Sequence, residues 1–208
     1  MRTTPLYLAH GAGSGHQHDF LKLLSQAIEL TRQQPVHPIT FAYMKEQERS
    51  GKKRPPPRFD TLISEFTDGI RHEKACFVAG KSMGGRVATQ LSSLPMVKGI
   101  ICIGFPFYPV GKPENHRLAF LNNLTVPCLI VQGTRDRLGS LEWVSQQSLP
   151  ELVDMIWLDG ADHDFKTLKN HKKNQVDIIK DISNKVVAWI EAHALQIGVD
   201  TPSNLTTD

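Results

Sequence analysis

The stretch Ala75–Gly85, ACFVAGKSMGG, admits two readings that lead to different proteins. Gly80-Lys81-Ser82 matches the tail of a phosphate-cradling loop, G-x-x-x-x-G-K-[ST], in which Lys81 would carry the chemistry. Gly80-Lys81-Ser82-Met83-Gly84 also fits G-x-S-x-G, a sharp strand-to-helix turn that presents a nucleophilic serine. The phosphate reading fails on length. The position five before Gly80 is Ala75, and Cys76-Phe77-Val78-Ala79 reads as a buried strand, which leaves no residues for a loop of backbone N–H groups. No acid ends the next strand to hold magnesium, since Cys102 and Ile103 lead directly to Gly104. The serine reading gains from the same residues. A buried strand, a serine and a helix beginning near Met83 are the context the turn demands, and Gly80, Gly84 and Gly85 leave room for close packing. On that reading Lys81 fills a variable position.

A serine becomes nucleophilic only beside a base, and the base needs a third group to orient it. The expected chain order is serine, acid, histidine. Strand CLIVQG runs into Gly133-Thr134-Arg135-Asp136, and strand MIWL runs into Asp159-Gly160-Ala161-Asp162-His163. In an open α/β sheet, functional groups gather beyond the carboxyl ends of the strands. Ser82, Asp136 and His163 all fall there, with Ser82 as nucleophile, His163 as base and Asp136 as orienting acid. The oxyanion that forms during acyl transfer needs two N–H donors. Met83 supplies one, and Ala12, in His10-Gly11-Ala12-Gly13 after the first strand, is the expected second. Gly11-x-Gly13 could open a dinucleotide fingerprint, but His16 stands at its last glycine position and no acid ends the second strand.

The rest of the chain is consistent with one α/β domain over residues 1–195, followed by a polar tail at 196–208. Strands are expected at Leu6–Ala9, Val36–Tyr43, Cys76–Ala79, Gly99–Gly104, Cys128–Gln132 and Met155–Leu158. Helices are expected near Asp19–Arg32, Phe59–Arg71, Met83–Leu94, Leu141–Ser148 and Lys172–Leu195. The last helix should dock through Val176, Ile179, Ile182, Val186, Trp189, Ile190 and Ala194. Met44–Arg58, MKEQERSGKKRPPPR, is basic and proline-rich and reads as a loop. A net charge of +3 among 208 residues implies no nucleic-acid partner. Cys76, Cys102 and Cys128 each sit in an apolar run rather than in C-x-x-C spacing, so they read as buried thiols and not as a disulfide or metal framework. With no signal-peptide pattern and no apolar run of bilayer length, the expected location is the cytoplasm, away from membranes.

Through these motifs the sequence resembles the α/β-hydrolase superfamily over residues 5–194. With its basic Arg54-Pro55-Pro56-Pro57-Arg58 loop it is more narrowly similar to the testis-expressed-protein-like branch, which includes a scaffold subunit of a chromatin acetyltransferase complex. The resemblance implies a three-layer α/β sandwich on a mostly parallel six-stranded sheet of order 2-1-3-4-5-6. It also implies a Ser-His-Asp hydrolase acting on esters or thioesters without a cofactor. Phe105–Thr125 spans roughly twenty residues, too few for a lid domain, so the site should be open. His10, Gly11, Phe105 and Phe107 are the expected substrate contacts. Arg54 and Arg58 are expected to draw an anionic small-molecule substrate to the pocket mouth, or to offer the proline-rich loop to a protein partner. The competing class is a catalytically silent scaffold on the same fold.

Overall fold

A computed structural model describes residues 4–199 of the 208-residue chain. Six strands form its centre: β1 (Leu6–Ala9), β2 (Val36–Ile39), β3 (Cys76–Lys81), β4 (Val97–Ile103), β5 (Cys128–Gly133) and β6 (Val153–Leu158). All pair in parallel, in the order β2-β1-β3-β4-β5-β6. The strands β1, β3, β4 and β5 are apolar on both faces, as a sheet covered on two sides requires. Alternate residues serve different layers. Ala9, Cys76, Val78, Ile100, Cys102, Cys128 and Ile130 pack toward α2 (Ala42–Ser50), α3 (Phe59–Ile70), α4 (Met83–Thr89) and α5 (Leu141–Val144). Leu6, Leu8, Phe77, Ala79, Ile101, Ile103, Leu129 and Val131 pack toward α1 (Asp19–Arg32) and α6 (Gln175–Val199). The three cysteines therefore share one face as buried free thiols.

The segment expected as one long loop from Met44 begins instead as helix α2. Its sequence AYMKEQERS is polar, but nearly every residue in it is a strong helix former. Arg49 pairs with Glu46 one turn earlier at 2.9 Å, and Gly51, at φ 68°, closes the helix in the left-handed conformation. Only residues 51–58 remain irregular. β2 is correspondingly shorter than expected, ending at Ile39. Pro38 is tolerated there because β2 is an edge strand, paired only with β1. Helix α4 stops at Thr89 rather than Leu94 and continues as tighter i→i−3 turns through Leu94. α5 is likewise short, ending at Val144.

Helix α6 starts where Asn174 accepts from the N–H groups of Val176 and Asp177 while Asp177 accepts from the Asn174 N–H, a reciprocal cap. Its buried face begins at Ile178 and Ile179, and Val176, expected inside, is exposed. The helix runs on through 196–199, which had read as tail; residues 200–208 lie outside the described residues. Among the described residues no helix is long and apolar enough to cross a membrane.

Candidate active site

The chain reverses its direction of travel across the sheet between β1 and β3, so the loops leaving these neighbouring strands diverge and open a crevice. Ala9 is in register with Gly80. The segment His10–Gly15 therefore emerges beside Lys81-Ser82, and a side chain on Gly11 would meet the Lys81 carbonyl at 3.5 Å and the Ser82 Cβ at 3.8 Å.

Ser82 sits at the bend between β3 and α4 with φ 51° and ψ −112°, a conformation that costs a non-glycine residue about 1–3 kcal/mol. Packing around it over-determines the turn. The Ser82 N–H donates to Ile103 O at 3.0 Å, and the Ser82 carbonyl accepts from Arg86 N at 3.2 Å. Gly84 lies so close to β1 that an added Cβ would approach His10 O at 2.6 Å and Ala9 O at 2.8 Å.

Asp136 and His163 come from the loops after β5 and β6. His163 Nε2 lies 2.9 Å from Ser82 Oγ, and His163 Nδ1 lies 2.8 Å from Asp136 Oδ2. Asp136 is fully buried, and its other oxygen accepts from Leu138 N at 2.8 Å. As an acceptor-only carboxylate it accepts a hydrogen bond from Nδ1–H, which leaves the Nε2 lone pair facing the serine hydroxyl. The His163 loop is itself locked. Asp162 Oδ1 accepts from the N–H groups of Asp164 and Lys166. Phe165, at φ 58°, buries its ring against Phe20, with centroids 5.3 Å apart and planes nearly parallel. Burying that ring is worth about 2–3 kcal/mol, enough to hold a strained backbone.

The remaining expected site residues divide. Gly11 and Ala12 line the crevice beside Ser82. The Tyr43 hydroxyl lies 3.0 Å from Ala12 O and 3.3 Å from Gly11 O, tying that loop to α2. Met83 is the first residue of α4 and is buried. His10 has no surface to offer a substrate. Its ring is fully buried, Nδ1–H donates to Gly11 O at 2.7 Å, and Nε2 accepts from Phe41 N at 3.1 Å. Phe105 and Phe107 are also fully buried and stack edge-to-face in the core. Arg54 pairs with Glu46 at 3.2 Å, and Arg58 is exposed at the start of α3, while Pro56 and Pro57 of the same loop do reach the Ser82 crevice.

Burial pulls the His10 imidazole down to about 4. Its unfolded value is near 6.5, so the unfolded chain binds more protons between these limits. The stabilisation is complete above pH 6.5 and is lost as pH falls toward 4, by about 3 kcal/mol. Urea titrations at a series of pH values should show this loss, and His10→Asn should flatten it. An equal slope in the variant would exclude His10 as its source.

Four residues around the site have no role assigned by the sequence motifs. Gln132, fully buried at the end of β5, donates to Asp136 Oδ2 at 2.8 Å and to Phe105 O at 3.1 Å, bracing the acid from behind. A glutamine ending an otherwise apolar buried strand was the available signal. Lys81 is not incidental. It is only 8% exposed and lines the crevice with Ser82 and His163. Burial pulls its ammonium down to about 8, against the attraction of Asp136, Asp164 and Asp162. Arg86 and Arg117 line a second cleft that also reaches Ser82.

Ser82 thus lies between two clefts. One, of about 390 Å³, includes Gly11, Lys81, His163 and Lys166. The other, of about 370 Å³, includes Met83, Arg86, Pro106, Arg117 and Leu138. No folded insertion covers either one: the chain from Phe105 to Thr125 holds only two single-turn 3-10 helices, Pro113–Asn115 and Leu118–Phe120.

The fold recurs in solved structures of low sequence identity. An α/β serine hydrolase homologue from Coxiella burnetii superposes with a TM-score of 0.62 at 16% identity, covering 88% of this chain and 84% of that one. The esterase domain of a Rhodothermus marinus protein gives 0.62 at 16% identity over 92% and 89%. Est1E from Butyrivibrio proteoclasticus, with ferulic acid bound, gives 0.59 at 15% identity over 91% and 90%. A family profile described as "Alpha/beta hydrolase domain" matches residues 2–191, nearly the whole chain, and this protein belongs to the alpha/beta hydrolase family.

Proposed function

We propose that the protein is a serine hydrolase that cleaves an ester or thioester through an acyl-enzyme intermediate. The observation that carries this reading is the hydrogen-bonded chain Ser82 Oγ–His163–Asp136, with links of 2.9 and 2.8 Å. His163 Nε2 takes the hydroxyl proton as Ser82 Oγ attacks the acyl carbon. The carbonyl oxygen becomes an oxyanion held by the Met83 and Ala12 N–H groups. The same imidazolium then gives its proton to the departing alcohol or thiol. Water, deprotonated by His163, attacks the acyl-serine, and His163 returns the proton to Ser82 Oγ as the C–O bond breaks and the acid is released. Asp136, braced by Gln132 and Leu138 N, fixes the imidazole tautomer and stabilises its charged form. His10 and Tyr43 position the Gly11–Ala12 backbone rather than touching substrate. The kinship with the testis-expressed-protein-like branch, resting on the elbow, the His163 loop and the basic proline-rich segment, belongs to the same proposal.

The test is turnover of p-nitrophenyl acetate and butyrate. Wild type should release a burst of nitrophenol equal to the enzyme concentration when deacylation is slow, and Ser82→Ala should lose the burst with at least ~10³-fold of the steady rate. Equal rates in both proteins would remove Ser82 from the chemistry.

A further inference from the structure

The cleft on the Met83 side of Ser82 carries two guanidinium groups that no carboxylate among the described residues neutralises. Arg86 projects from α4, one turn after Ser82, and Arg117 from the segment between β4 and β5. The Arg86 guanidinium lies between two aromatic rings, 4.8 Å from the Phe59 centroid and 4.6 Å from that of Phe120, which fixes its plane. Its buried Nε has no hydrogen-bond partner. Arg117 is pinned by one bond, from an Nη1 N–H to Pro106 O at 2.9 Å, and its backbone N–H donates to Phe107 O at 2.7 Å. Both side chains are half-buried. Among the described residues no carboxylate lies within ion-pair distance of either one, whereas Arg49, Arg54 and Arg71 on the surface each have an acid.

Two like charges withdrawn from water without a counter-ion destabilise the folded protein, and a bound anion would offset that cost. Burial, and then the charge of Arg117, pull the Arg86 guanidinium down to about 10. Burial also lowers Arg117.

The side of the serine on which this cleft lies tells which half of a substrate enters it. His163 must deliver a proton to the leaving atom, and it lines the other cleft together with Lys81. The Arg86–Arg117 cleft holds both proposed oxyanion donors, Met83 and Ala12, of which only Ala12 also borders the other cleft, and Leu138 and Pro106 supply apolar wall for a short chain. We infer that Arg86 and Arg117 form an acyl-side carboxylate site, so that the preferred substrates are half-esters or half-thioesters of short dicarboxylic acids. The free carboxylate accepts from the two guanidiniums while the esterified end lies at Ser82 Oγ. This assignment rests on Ser82 being the nucleophile. It moves the expected anion recognition from Arg54 and Arg58, which lie in or beside the proline-rich loop, to arginines inside the cleft.

The test compares mono-p-nitrophenyl glutarate with p-nitrophenyl pentanoate, which has the same acyl length and no charge. Wild type should favour the half-ester in kcat/KM by at least tenfold. Arg117→Gln should erase most of that preference, on the order of tenfold to a hundredfold and mainly through KM, as expected for lost charge-assisted hydrogen bonds. Arg86→Lys keeps the charge but not the stacked plane and should lose an intermediate share. Equal losses on both esters, or a wild-type preference for the pentanoate, would overturn the assignment. So would a larger Arg117→Gln effect on 4-acetoxybenzoate, whose carboxylate sits on the leaving group. If neither ester turns over and Ser82 proves unreactive, the hydrolase reading has failed separately. Calorimetry with monomethyl glutarate then decides the site: binding weakened at least tenfold by Arg117→Gln supports it, and no binding to wild type overturns it.

Discussion

Asp136→Asn should lower kcat for ester hydrolysis by about 10⁴-fold, with little change in KM. The carboxylate accepts on both oxygens: Oδ1 from the Leu138 N–H, Oδ2 from Gln132 Nε2 and His163 Nδ1. An amide has only one oxygen, so in either orientation one NH2 must face a donor. If it faces Leu138, the tautomer survives but the imidazolium formed during attack loses its buried counter-charge. If it faces His163, Nδ1 must accept, the proton moves to Nε2, and the ring can no longer deprotonate Ser82. Both routes act on the transition state rather than on substrate binding, hence the kcat signature. The donor conflict should also cost about 1–3 kcal/mol of stability, within what a folded domain tolerates. A loss of less than tenfold in a folded variant would mean that Asp136 does not serve His163.

The second large effect is structural. Gly80→Ala should destabilise the protein by about 4 kcal/mol or more, lowering Tm by about 10 °C for a chain of this size, or should prevent folding. A methyl group at residue 80 would fall inside the van der Waals envelope of the Gly84 carbonyl group and the Gly85 nitrogen. These are backbone atoms of α4 and cannot rotate away. The helix would have to lift from β3, taking Ser82 and Met83 with it. Gly13→Ala is the control: a Cβ there meets nothing within 4 Å, and its Tm should stay within a degree or two. A Gly80→Ala protein as stable as wild type would show that the elbow is not tightly packed.

The contrast between these glycines explains how much of the molecule was legible in its sequence. A motif that places glycine, serine and glycine around a forced turn encodes its own geometry. So ACFVAGKSMGG foretold β3, the bend and α4, the strand–helix alternation foretold a parallel sheet, and the resemblance to the α/β-hydrolase superfamily foretold its order. Asp136 and His163 were legible because each follows an apolar run at the sheet edge where functional groups gather. By polarity the basic segment from Met44 reads as a loop, but helix propensity decides its first half. Its first half forms α2, whose Tyr43 holds the Gly11–Ala12 loop. Arg86 and Arg117 carry no motif at all. They share burial and, among the described residues, have no acid within ion-pair distance, and only the fold brings together residues thirty-one positions apart. His10 shows the reverse case. A histidine beside the site looks functional in sequence, yet both its nitrogens are spent on backbone.

Activation of Ser82 by His163 is tested most directly by covalent labelling. A fluorophosphonate probe reacts with a serine whose proton a neighbouring base removes, so incubation followed by intact-mass measurement and peptide mapping reads activation without knowledge of the substrate. One probe adduct per chain, located on Ser82 and absent from Ser82→Ala and His163→Ala, is the predicted result. An unlabelled wild-type protein, or an adduct that persists in Ser82→Ala, would contradict it.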